Sequence, residues 1–193
     1  MTTVPHDDRE QVHVESAADW RTWLEANHDR GDGVWLVTWK GTTGRPRPTY
    51  EATVEEALCF GWIDAKARTL DEDRAAIWMA PRKRGSGWSR SNKDRIERLE
   101  ADGRMTDAGR ALIESAKADG TWTLLDSVEA LLVPDDLAAA LDARAGSRDR
   151  WDALSPSAKK QALTWLVQAK TDATRERRVR SIADDVARGQ RPR

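Results

Sequence analysis

Val34-Trp35-Leu36-Val37-Thr38-Trp39-Lys40 is the stretch that decides the fold. Its two-residue period sets Trp35, Val37 and Trp39 on one face and Val34, Leu36 and Thr38 on the other, the pattern of a β-strand. Downstream, Trp62–Leu70 and Arg74–Ala80 alternate around Asp71-Glu72-Asp73 and predict a β-hairpin. Upstream, Gln11–Glu15 predicts a short strand. Ser16 is placed to cap a helix whose Trp20, Trp23 and Leu24 follow i, i+3, i+4 spacing, and Gly31-Asp32-Gly33 closes that unit. Gly41 to Pro48 reads as a basic, Gly/Pro-punctuated loop. Thr53-Val54-Glu55-Glu56 reads as a capping box opening a helix that runs to Phe60 and stops at Gly61.

Beyond Pro81 the signals are helical. Ser91 with Asp94 opens a helix to Glu100, and Thr106 opens another that Gly120 stops. Asp126–Leu132 and Pro134–Arg144 follow, Ser155-Pro156 starts a further helix, and Thr171 or Asp172 caps the last. Strands first and helices later argue for an α+β fold: a small antiparallel sheet with helices in the N-terminal part, followed by a helical C-terminal part. The expected organisation is a flexible N-terminus over 1–10, an α+β sheet region over 11–88 and a helical region over 89–193, as one compact unit or two closely packed subdomains.

The 193 residues carry 32 basic and 33 acidic side chains, formal net charge -1. That balance excludes a polycationic nucleic-acid coat and an acidic tail protein. One cysteine excludes an internal disulfide scaffold and fits a reducing compartment. The first thirty residues have no apolar signal region, and no run approaches a membrane span, so the expectation is a cytoplasmic protein. His6, His13 and His28 with Cys59 give no zinc-type spacing, and no phosphate-binding glycine loop occurs. Neither a metal nor another cofactor is expected.

The chain has ten tryptophans beside one Tyr and one Phe. They make either a Trp-filled core or a pocket whose indoles face a ligand. The charge is segregated: residues 80–98 hold 7 basic and 2 acidic side chains. In that cationic island Arg82 and Lys83 follow a strand, while Trp88, Ser89 and Asn92 lead into a helix N-terminus, which is the chemistry of an anion site. The same Ser and Asn residues are also ordinary capping residues. Trp62 and Asp64, two residues apart, share a strand face. Asp64 is then either a structural carboxylate holding an indole N–H or Arg82, or a pKa-shifted acid. Cys59, between Leu58 and Phe60, reads as a buried, inert thiol.

Glu56-Ala57-Leu58-Cys59-Phe60-Gly61-Trp62-Ile63-Asp64, Pro81-Arg82-Lys83, Trp88-Ser89 with Asn92, and Gly103-Arg104-Met105 with Gly109 form an ordered series. Ala116-Lys117 with Gly120 and Trp122, then Ala169-Lys170 with Thr174-Arg175 and Arg178, extend it. The series resembles the YdeI/OmpD-associated, or bacteriocin-protection, family over about residues 50–185. Ala65, Trp78-Met79-Ala80 and Ala173 depart from its pattern. The resemblance implies a cytosolic bacterial protein linked to protection against bacteriocins or cationic antimicrobial peptides, and it supplies no reaction.

The resulting expectation is a non-catalytic binding protein in antimicrobial-peptide or envelope stress. Its site would be Trp62, Asp64, Arg82, Lys83, Trp88, Ser89 and Asn92, for a small anionic ligand, with a protein partner as the other reading. One alternative is an enzyme with Asp64 as acid or base. The other is nucleic-acid binding through the 82–98 basic segment, against which the acidic flanks argue.

Overall fold

A computed structural model describes residues 9–192. The elements run β1 (Gln11–His13), α1 (Ala17–Asn27), β2 (Val34–Trp39), α2 (Tyr50–Cys59), β3 (Trp62–Thr69), β4 (Arg74–Pro81), α3 (Arg90–Ala101) and α4 (Asp107–Ala118). They continue with α5 (Asp126–Glu129), α6 (Asp135–Asp142), α7 (Ser147–Asp152), α8 (Pro156–Val167) and α9 (Asp172–Ala187). The class is α+β. Among the described residues no helix is long and apolar enough to cross a membrane.

The sheet has the order β1-β2-β4-β3. The β3–β4 hairpin and the β2–β4 pair are antiparallel, but β1 runs parallel to β2, so the sheet is mixed rather than antiparallel. The reason is the intervening helix: α1 carries the chain back to the starting edge, so β2 enters in the same direction as β1. Of the expected flexible terminus, residues 1–8 lie outside the described residues. Arg9 pairs with Asp32 at 2.8 Å, and the Glu10 carbonyl accepts the Trp35 N–H at 2.9 Å.

By compactness the chain forms two units. One runs through Ser86 and includes Ser91–Gly120; the other is Gly87–Arg90 with Thr121 onward. The division at Gly120/Thr121 therefore groups α3 and α4 with the sheet, where the sequence grouped them with the helical region. Contacts with α2 hold them there. Arg95 of α3 grips Glu51 of α2, and Gly109 of α4 lies so close to the Cys59 carbonyl that a Cβ would sit 2.3 Å from it. Only glycine permits that approach.

In the first unit, strand alternation puts Val34, Leu36, Trp62 and Met79 on the face that meets α1 and α2, all of them buried. The opposite face gathers Trp35, Val37, Ala76 and Trp78 into a second cluster, with Arg68 stacked on Trp35 at 4.0 Å. β2 is thus buried on both sides from Val34 to Val37, and the register slips once in β3, between Asp64 and Ala67. Helix α2 starts a turn earlier than the capping-box reading. Thr49 is the cap, its hydroxyl accepting the Ala52 N–H at 3.1 Å, and Thr53 lies buried inside the helix, donating to the Tyr50 carbonyl.

In the second unit Leu137, Leu141, Leu163, Leu166, Ile182 and Val186 close around Trp151. Its caps are local: Ser155 accepts from Ala158 N, and Thr171 accepts from Thr174 N. The Asp126–Leu132 segment is helical only to Glu129, because Leu131 turns left-handed at φ 55 and the Leu132 N–H returns to the Ser127 carbonyl.

Candidate functional site

Trp62 opens β3 and is fully buried. Its indole meets Trp23 at 5.6 Å and Trp20 at 6.3 Å, both edge-to-face, and its Nε1–H donates to the His28 carbonyl at 2.9 Å. It is a core residue with its donor satisfied, where the sequence reading placed it among the residues of a ligand site.

Asp64, two residues on, is half-buried. It takes neither the Trp62 N–H nor a place as an isolated acid: its Oδ2 accepts from the Tyr50 hydroxyl at 2.7 Å. Burial, and then the bond to Asp64, push the Tyr50 phenol up to about 12, so it stays protonated as a donor throughout the neutral range. Arg95 lies close enough for Asp64 and Tyr50 to help raise its pKa, after the larger effect of its bond to Glu51. Its Nε and Nη2 hold the two Glu51 oxygens at 3.0 and 2.7 Å, and Nη1 donates to Asn92 Oδ1 at 2.8 Å. Asp64 is therefore held by a phenol, and Asn92 by a cation, that sequence reasoning passed over. A signal existed: Tyr50 is the lone tyrosine, and it directly follows the Pro48-Thr49 helix start.

Arg82 follows the last residue of β4. Its backbone N–H donates to the Gly61 carbonyl at 2.9 Å, which holds it beside the turn where Gly61 takes φ 76. The side chain is half-buried, and burial pushes the guanidinium down to about 10. Lys83 and Arg84, next in the chain, are exposed. Trp88 and Ser89 belong to the second unit, where Trp88 is buried with its ring 5.2 Å from Trp122. The seven expected site residues thus divide five to two between the units.

The other feature of this region is an ion-pair clamp. Glu56, with its side chain 7% exposed, receives Arg21 Nη1 at 2.8 Å and Arg104 Nη2 at 2.6 Å, while Arg104 Nη1 also reaches Glu55 at 2.9 Å. The clamp ties α1, α2 and the α3–α4 turn. Beneath it the Cys59 thiol is pushed up to about 11 by burial and then by the Glu56 charge, which makes it a protonated core side chain. Among the described residues no group of three or more His, Cys, Asp or Glu could hold a metal ion.

Comparison with known families divides the chain much as its compactness does. Residues 12–112, more than half of the chain, match the family described as a domain of unknown function (DUF8412). Residues 130–189 match the family described as bacteriocin-protection, YdeI or OmpD-associated. The second match is shorter than the 50–185 resemblance read from the sequence, and the Glu56–Asp64 and Pro81–Asn92 motifs fall within the first family's span. No curated protein and no solved structure matches the chain. The chain therefore belongs to the DUF8412 family, and residues 130–189, C-terminal to that domain, are similar to the bacteriocin-protection, YdeI or OmpD-associated family.

Proposed function

We propose that the protein is a cytosolic, non-catalytic binding protein acting in protection against bacteriocins or cationic antimicrobial peptides, and that it takes a small anionic group at Arg82 and Lys83. The observation that carries this reading is the half-buried Arg82 side chain. Burial has removed part of its hydration and lowered its pKa to about 10, and exposed cations follow it in the chain. A cation partly stripped of water gains more from an arriving anion than a fully hydrated one does. The neighbouring groups favour binding over catalysis. The Cys59 thiol and the Tyr50 phenol keep their protons, with pKa values near 11 and 12, and Asp64 is engaged as an acceptor. In this reading Trp62 supports the hairpin end from the core, Tyr50 orients Asp64, and Asn92 orients Arg95.

The test is ligand-induced thermal stabilisation of the wild type and Arg82→Ala, with anionic metabolites, a cationic peptide and a short single-stranded oligonucleotide as probes. A ligand at about 100 times its Kd adds roughly 2.7 kcal/mol. The expected result is stabilisation by an anionic metabolite that Arg82→Ala loses. Stabilisation by the oligonucleotide, falling steeply with salt, would favour the nucleic-acid reading instead. No shift with any probe would remove the binding reading.

A further inference from the structure

In the second unit the turn between α7 and α8 and the chain leaving α9 enclose a cavity of about 470 Å³. Its size lies within the range of small-molecule sites, roughly 300–1,000 Å³. The floor is aliphatic: Leu154, Ala158 and Val186, of which Ala158 and Val186 are also buried parts of the unit. Arg150 and Arg191 line the same cavity, and both are exposed. Their side-chain hydrogen bonds go to neutral oxygens. Arg150 Nη1 donates to the Ala145 carbonyl at 3.3 Å, and Arg191 Nη2 donates to Gln161 Oε1 at 2.9 Å. Among the described residues no carboxylate lines the cavity, and neither guanidinium forms an ion pair.

The geometry points to a binding site for a small anionic amphiphile, a molecule with a carboxylate or phosphate head and a short hydrocarbon chain. Two unneutralised guanidiniums favour an anionic head through charge-assisted hydrogen bonds. An aliphatic floor lying beside them removes a hydrocarbon chain from water. Neither half suffices alone. A bare inorganic anion leaves the floor wet, and an uncharged alkane leaves the guanidiniums without a counter-charge. This site lies wholly in the second unit and does not depend on Arg82. It falls in the region matching the bacteriocin-protection family, apart from Gln190 and Arg191 just beyond that match.

The experiment is an NMR titration of the full chain, following the amides of Leu154, Ala158 and Gly189. The probes are sodium octanoate, octyl phosphate, octanol and acetate. Octanoate, octyl phosphate or both are expected to shift these amides saturably, with the difference between them identifying the preferred head. Octanol and acetate should bind at least tenfold more weakly. The double variant Arg150→Glu/Arg191→Glu, at two exposed positions, should weaken anionic-amphiphile binding at least tenfold while leaving the melting temperature near wild type. Ala153→Phe, which fills the cavity from an exposed position on its lining, should abolish it. Equal affinity for octanol and octanoate, insensitivity to the charge reversal, or shifts confined to residues away from the cavity would each overturn the proposal.

Discussion

Both units bury leucines, and the first adds to Leu24, Leu36, Leu58 and Leu99 a set of almost wholly inaccessible indoles. Trp20, Trp35 and Trp62 are almost wholly inaccessible in the first, against Trp151 and the slightly more open Trp88 in the second. An indole brings a donor into the core with its area, and that donor must be met. Trp20 Nε1 donates to the Thr53 carbonyl at 3.1 Å and Trp62 Nε1 to the His28 carbonyl at 2.9 Å, so each ring also pins a backbone position on another element. The Glu56 clamp adds the same directional character with charge. In the second unit Leu137, Leu141, Leu163 and Leu166 fill space without such demands. The first unit is therefore specified by geometry that few other side chains reproduce, and the second by volume and pattern.

The largest expected effect tests that contrast directly. Trp62→Ala removes a whole buried indole and leaves a carbonyl without its donor, so a loss of about 3–5 kcal/mol is expected in urea unfolding followed by circular dichroism. Leu163→Met keeps volume and chemistry and should cost less than about 1.5 kcal/mol. If the two substitutions cost the same, the distinction between directional and volumetric cores fails.

Glu56→Gln comes next. It leaves two guanidiniums facing an amide, and about 2–3 kcal/mol should be lost. This is below the value for a fully buried pair, because Arg21 and Arg104 are 31% and 34% exposed. A Glu51→Gln variant probes the exposed rim of the same network through pH rather than magnitude. The Arg95 bond holds the Glu51 carboxyl below its ordinary pKa, so its contribution is present above the usual carboxylate range and is lost as pH falls through the lowered value. Acid unfolding of Glu51→Gln should therefore show a shallower fall in stability below about pH 4 than the wild type. Parallel curves would mean that the pair is screened to nothing.

Glu56 also shows where the sequence stops being informative. Thr53-Val54-Glu55-Glu56 has the spacing of a capping box, yet the carboxylate is claimed by arginines 35 and 48 residues away, and the true cap is Thr49. Features fixed by neighbours were readable: Ser16 and Thr106 as caps, the Ser155-Pro156 start and the hairpin around Asp71–Asp73. Features fixed by distant partners were not. The parallel direction of β1 depends on where α1 delivers the chain. Helix α7 carries one buried apolar side chain, Trp151, and so has no periodicity to detect. The site suffered in the same way. Period-two spacing places Trp62 and Asp64 on one face, but only Trp20 and Trp23, from another helix, decide that the indole is covered. The cationic island was legible as charge, while its division between two units was not.

The smallest effect is also the one with the opposite sign. Ser147, the first residue of α7, is fully buried, and among the described residues its Oγ meets no hydrogen-bond partner. A hydroxyl taken out of water without a partner costs about 1–3 kcal/mol, while its methyl counterpart carries no such penalty. In a unit held by volume, Ser147→Ala keeps almost all of that volume, raises helix propensity and removes the unmatched polar atom. The variant should be more stable than wild type by about 1 kcal/mol, seen as a higher urea midpoint with an unchanged slope. A loss of stability would show that this hydroxyl has a partner in solution, and that the second unit relies on a directional contact as the first one does.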